Sequence, residues 1–179
     1  MVLIDLGSDI NKVITTGSCV HLIHTYYNKD NEHSIPNVAI VGQDKIKGFY
    51  SSPGGKLEKG EFPYVNAART MLEGLSIRIT KKNIQLVVSK LNYIGSLLNQ
   101  DRYRYTHNFV LNLVGYSTTD KVYTKHVEFR YVPIDNMDST TICDVHGNPL
   151  NGTIKSMNIA AFKAASKMSM NTIHISELE

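Results

Sequence analysis

The residues best suited to chemistry lie in one stretch, "SSPGGKLEKGEFPYVNAARTMLEGLSI", residues 51–77. Gly54 and Gly55 follow Pro53, so the backbone turns sharply there and admits a ligand without side-chain obstruction. Glu61 stands six residues after Gly55, Arg69 eight residues further, and Glu73 four beyond Arg69. A glycine loop leading into a helix that carries acids and an arginine suits a phosphate-handling, metal-dependent site. The stretch ends poor in acids, so its first half promises more chemistry than its second.

Those side chains need a helix to hold them. "EFPYVNAARTMLEG" predicts one of about three turns: Pro63 suits the first turn, Ala67 and Ala68 the middle, and Gly74 the stop. On it Asn66, Arg69, Thr70 and Glu73 share a polar face, while Val65, Ala68 and Leu72 face the core. Upstream, "SCVHLIHTYYNK" (18–29) and "PNVAIVG" (36–42) flank the polar "KDNEHS", which predicts a hairpin with an exposed loop. "KGFYSSPGG" leads through a short strand into the glycine loop. Downstream, Thr80 is placed to cap a short helix over "KKNIQLVV", where a strand reading is nearly as good. Strands follow at 92–99, 104–116 and 126–134. A last helix over about 153–169 carries Ile154, Met157, Ala161, Ala165 and Met168 as one apolar stripe, read as core packing. Mixed strands around an early helix, with a late helix after the sheet, predict an α+β or α/β layered domain.

Composition bounds the function classes. A chain of 179 residues fits one domain and can bury roughly 70% of its unfolded surface. The apolar share of 42% and charged share of 20% are those of an ordinary globular protein. A net charge of +3, with both signs mixed along the chain, is too mild to argue for nucleic acid but suits an anionic ligand. "DRYRYTH" (101–107) interleaves basic and aromatic residues that could grip a base and a phosphate. It reads first as the exposed approach to a strand, so nucleic acid is weakly supported. Cys19 and Cys143 lie far apart and read as free thiols of a reducing compartment. No apolar run approaches a membrane span, and "MVLIDLGSDINK" has acids where a signal peptide would be apolar. A soluble, cytoplasmic protein with no membrane partner is therefore expected. His21 and His24, three apart on a strand, point to opposite faces and promise no histidine metal site. Both a monomer and a homo-oligomer fit this sequence.

The loop and helix resemble the Nudix superfamily, whose box reads G-x5-E-x7-R-E-U-x-E-E-x-G-U with U aliphatic. Gly55, Glu61, Arg69, Met71, Glu73 and Ile77 occupy matching positions, and "PGGKLEKGE" and "AAR" look like typical members. "VEFRYVPID" (127–135) is similar to the family's late strand and turn, with Tyr131 where a tryptophan is frequent. The resemblance covers residues from about 18 to 170, leaving 1–17 as an N-terminal extension and 171–179 as a C-terminal tail. It implies an α/β/α sandwich with a mixed β-sheet. It also implies a nucleotide or nucleoside-diphosphate-linked ligand, held at Gly54, Gly55, Lys56 and Tyr131. The family's activity is that of a pyrophosphohydrolase, in which Mg²⁺, or Mn²⁺ in its place, assists attack by water. Glu61, Arg69 and Glu73 are then the catalytic residues, with Arg69 orienting Glu61 or Glu73 through a charge-assisted hydrogen bond.

The pattern breaks at the metal. The family's helix presents carboxylates at i, i+3 and i+4, all on one side. Here position i is Thr70, i+3 is Glu73 and i+4 is Gly74, and Ser76 replaces the expected glycine. Aligning Gly74-Leu75 with the glycine-aliphatic pair, by deleting two residues, loses the second glutamate as well. A metal would rest on Glu73 with help from Glu58, Glu61 and Glu128, of which Glu128 is the best distant contributor. The leading expectation is a degenerate box that binds a nucleotide-like or other anionic ligand with weak or no hydrolysis. Two alternatives stand beside it: an active Mg²⁺-dependent pyrophosphohydrolase, and a structural or protein-interaction module. Restoring the acids, Thr70→Glu with Gly74→Glu, is expected to raise metal affinity.

Overall fold

Two long β-branched and aromatic runs form the hairpin at the centre of the fold, β1 (Thr15–Asn28) and β2 (His33–Asp44). This is a computed structural model, and it describes residues 15–28, 33–44, 48–99, 104–115 and 126–178. Short strands β3 (Tyr50–Ser51) and β4 (Gly54–Lys56) lead into helix α1 (Pro63–Gly74) and then α2 (Lys81–Lys90). Strands β5 (Asn92–Asn99), β6 (Arg104–Val114) and β7 (His126–Pro133) precede α3 (Ser156–Ala165) and β8 (Thr172–His174).

The sheet is mixed. β1 pairs antiparallel with β2 (Leu22↔Ile40) and β4 (Ser18↔Gly55), and parallel with β6 (Val20↔Phe109). β5 and β8 extend the sheet beyond β6, and β7 and β3 pair with β2. Alternation along β1 splits the core. Val20 and Leu22 join Ile40, Phe109 and Leu111 beneath Ala68, Met71 and Leu72 of α1. Ile23 joins Val41, Val110 and Val132 beneath Phe162 and Ala165 of α3. Each large aliphatic chain so buried contributes about 1.5–3 kcal/mol, which makes the sheet a rigid platform for both helices. The expected α/β/α sandwich is the observed one.

Several expected details resolve or shift. "KKNIQLVV" is helical: the Thr80 hydroxyl accepts the Asn83 N–H at 3.1 Å, an N-cap that a strand could not use. The late helix is shorter than expected, with Phe162 and Asn158 taking interior places while Met168, beyond its end, is exposed. Part of the expected C-terminal tail belongs to the sheet. β8 runs parallel to β6, and the buried Leu178 offers its carbonyl to Asn83 Nδ2 at 2.9 Å. The expected N-terminal extension lies outside the described residues up to residue 14, and Thr15 to Gly17 open β1. Among the described residues, no helix is long and apolar enough to cross a membrane.

Candidate functional site

The glycine loop is held flat between β1 and α1. The Val20 N–H donates to the Pro53 carbonyl at 2.9 Å, and β4 pairs Gly54 and Gly55 with Cys19 and Ser18. Glycine is required here by closeness. A Cβ on Gly54 would meet the Ser18 carbonyl oxygen at 2.6 Å, and one on Gly55 would meet Thr70 Cγ2 at 2.8 Å. The start of α1 is tied down in turn. The Ser18 hydroxyl donates to the Pro63 carbonyl at 2.7 Å, and Asn66 Nδ2 donates to the Lys56 carbonyl at 2.7 Å and to Glu61 Oε2 at 2.9 Å.

Arg69 gathers three acids. Its Nε and terminal nitrogen donate to the two oxygens of Glu61 at 2.8 and 3.0 Å, a bidentate pair. The other terminal nitrogen reaches Glu73 at 3.1 Å, one helical turn on, and Glu58 lies 3.5 Å away. The Glu58 N–H also donates to Glu61 at 2.9 Å. The hydrogen bond from Arg69 outweighs burial and, with the Glu58 N–H and Asn66, holds the Glu61 carboxyl down to about 2. The same pair raises Arg69 further above its already high value. Glu58, Glu61, Arg69 and Glu73, close in sequence, thus form one ionic cluster against the glycine loop.

The missing acids have a structural counterpart. Asn66 and Thr70 belong to the interior rather than to an open polar face, at 0% and 2% exposure. The Thr70 hydroxyl donates back to the Asn66 carbonyl at 2.9 Å, and its methyl fills the space that Gly55 leaves. A Cβ on Gly74 would lie 3.2 Å from Pro53 Cβ. α1 ends in a Schellman motif: the Ile77 N–H reaches the Leu72 carbonyl at 2.9 Å and the Ser76 N–H reaches Glu73 at 3.1 Å. Ser76 takes φ of +54°, the left-handed position that favours glycine. The backbone thus places Ser76, and not Gly74, at the left-handed position that ends α1.

The other expected residues sit elsewhere. Lys56 is exposed on β4 beside Gly55. Tyr131, on β7, is only 8% exposed and packs against Tyr26 and His24, with ring centroids 5.3 and 5.7 Å apart. It belongs to the core beneath β2 and β7 rather than to the strand that pairs with the glycine loop. Glu128 is on β7, but its side chain lies outside the described residues.

On the opposite face of β1 lies a polar cluster that sequence reasoning did not assemble. His21, fully buried, places Nδ1 2.9 Å from Ser52 Oγ and Nε2 3.1 Å from Asn108 Oδ1. Asn108 Nδ2 donates to the Thr106 carbonyl, so its Oδ1 faces the imidazole and Nε2 carries the ring proton. Burial drives His21 down to about 4, against the opposing effect of Asn108. Nearby Cys19 is pushed up to about 12 by burial, an inert thiol rather than a nucleophile. Alternation on β1 and β6 was the available signal, since residues 17, 19 and 21 and residues 104, 106 and 108 share this face.

No protein-family model and no curated protein sequence matches the chain. Solved structures do. A hydrolase of the NUDIX family from Clostridium perfringens matches with a TM-score of 0.55 over 87% of this chain and 97% of that one, at 13% identity. The fold is that of the Nudix hydrolases. An ADP-ribose pyrophosphatase from Streptococcus suis matches at a TM-score of 0.51 and 11% identity, over 90% of this chain and 99% of that chain. A MutT/nudix family protein from Enterococcus faecalis gives a TM-score of 0.52 at 13% identity, over 68% of this chain. The match spans 44% of that longer chain.

Divalent-metal chemistry on the Nudix fold requires oxygen ligands facing one point. Among the described residues, no group of three His, Cys, Asp or Glu side chains could hold a metal ion. Both oxygens of Glu61 are committed to Arg69, Asn66 and the Glu58 N–H. Thr70 and Gly74 contribute no carboxylate, and both are packed against the loop. Among the described residues, the acids nearest the loop are turned toward Arg69 rather than gathered around one open point.

Proposed function

We propose that this chain is a nucleotide-binding domain on the Nudix fold, one that takes a nucleotide-like anionic ligand and hydrolyses it weakly or not at all. The observation that carries this reading is the packing of Thr70 and Gly74 against Gly55 and Pro53. The space beside the glycine loop is filled by a methyl group and a proline ring, where a metal-binding helix would present carboxylates. The remaining acids neutralise Arg69, so the cluster works as a brace that fixes the loop. A loop braced in this way keeps its exposed backbone available to phosphate oxygens. The net charge of +3 also favours an anion. An intracellular setting, with both cysteines free, completes the reading.

The test incubates the pure protein with Mg²⁺ or Mn²⁺ and dinucleotides, nucleotide sugars, ADP-ribose and nucleoside triphosphates. A thermal shift with at least one of these ligands, and no turnover, is expected. Turnover abolished by Glu73→Gln would instead establish an active hydrolase. A flat thermal response across the whole panel would favour an interaction module.

A further inference from the structure

Among the described residues, two partly buried arginines have acids and a third does not. Arg69 is paired with Glu61, and Arg130 donates to Asp144 at 2.6 Å. The side chain of Arg104, at the start of β6, makes no ion pair or hydrogen bond to any described residue, and its Nε, like that of Arg130, is buried without a partner. A guanidinium nitrogen withdrawn from water and left without an acceptor costs free energy that the fold must recover elsewhere. Such a group is the kind of local inconsistency that marks a ligand site.

Its position is defined by the sheet. Arg104 is opposite Thr15 in the parallel β1–β6 pair, on the face that also carries Gly17, Cys19, Thr106 and Asn108. Its terminal nitrogen lies 3.1 Å from where a Cβ on Gly17 would stand, and the Gly55 carbonyl oxygen lies 2.6 Å from the same point. Gly17 therefore opens the space that the guanidinium occupies beside the glycine loop. A second cation acts on the same face of β1. Lys155, at the start of α3, has Nζ 4.4 Å above the Phe49 ring. The charges of Lys155 and Arg104 both act on the Cys19 thiol, against the larger effect of burial. Cys19 Sγ in turn lies 3.3 Å from the Cβ position of Gly54.

We propose that Arg104 is the anion anchor of the ligand site and takes the diphosphate of a nucleotide-like ligand. The inference rests on the ligand-binding reading above and adds to it the residue that grips the ligand and the group it grips. A planar guanidinium offers two parallel donors to phosphate oxygens. The exposed Gly54 and half-exposed Gly55 leave the place reachable from solvent.

The experiment compares wild type, Arg104→Met and Arg104→Lys, titrated with inorganic pyrophosphate and with ADP in EDTA, and melted without ligand. Wild type is expected to bind both probes. Arg104→Met should weaken binding by at least about tenfold, with Arg104→Lys between the two. With no side-chain partner to lose among the described residues, Arg104→Met should melt at or above the wild-type temperature without ligand. A structural arginine would not behave so. Wild-type affinity in Arg104→Met, or a lower melting temperature without ligand, would overturn the anchor and leave the ligand-binding reading standing. If wild type binds neither pyrophosphate nor ADP, both the anchor and the reading beneath it fail. If Arg104→Met does not fold, Arg104 is structural and the anchor is refuted.

Discussion

Replacing Glu61 by Gln removes one charge and little volume, and so isolates the brace. In the wild type Arg69 grips both Glu61 oxygens, at 2.8 and 3.0 Å, while its contacts to Glu73 and Glu58 are single and longer. The Glu61 carboxyl falls from its ordinary 4.5 to about 2. At 1.36 kcal/mol per pKa unit, that depression corresponds to about 3 kcal/mol as an upper bound. Arg69 is one-fifth exposed, so water screens the pair and leaves about 2 kcal/mol. In a domain of this size the loss lowers Tm by about 4–8 °C at pH 7. The pH dependence supplies the sign. Because folding lowers this pKa, the contribution is complete above about pH 4.5 and disappears as pH falls toward 2. Urea denaturation of both proteins from pH 7 down to the acid limit should show a gap that closes across that window. Equal stability at pH 7, or a gap that persists unchanged to pH 2, would refute the assignment of Glu61 as the brace.

Three further outcomes are expected. Ser76→Gly relieves a left-handed serine at the end of α1 and should raise stability by about 0.5–1 kcal/mol in urea denaturation, once the greater freedom of unfolded glycine is subtracted. Gly55→Ala drives a Cβ onto the Thr70 methyl and should cost about 1–3 kcal/mol, much of it recovered by adding Thr70→Ser, a coupling that a double-mutant cycle measures. Wild-type stability should fall by up to about 3 kcal/mol between pH 6.5 and 4, because the unfolded chain binds a proton that burial denies to His21. In His21→Gln that slope should flatten.

The layered fold was legible because its signals are local and periodic. The alternating runs became β1, β2, β6 and β7, and Thr80 capped the helix expected of it. The ionic cluster was legible too, since Glu61, Arg69 and Glu73 lie within one loop and helix. What could not be read was burial around the helix. Helical spacing placed Thr70 and Asn66 beside Arg69 on a polar face, but the glycine loop folds over that edge and covers both. That contact exists only after β4 pairs with β1, a long-range event that no spacing within residues 51–77 records. Arg104 was hidden for the same reason. Its lack of a side-chain partner among the described residues appears only when β6 lies parallel to β1 and brings it over Gly17. The expected gain from Thr70→Glu with Gly74→Glu now carries a stability cost, because each acid would enter a buried position.

The contacts of Thr70 with Gly55 and of Gly74 with Pro53 also set the order in which this helix can change. A single new carboxylate would enter a space already filled beneath the loop, so it costs stability before a second can join it. Only the pair could repay that cost, which places a valley between this sequence and an acid-bearing one. Laboratory selection for hydrolysis by single substitutions should therefore stall on this chain, whereas libraries that vary positions 53, 55, 70 and 74 together leave a way across.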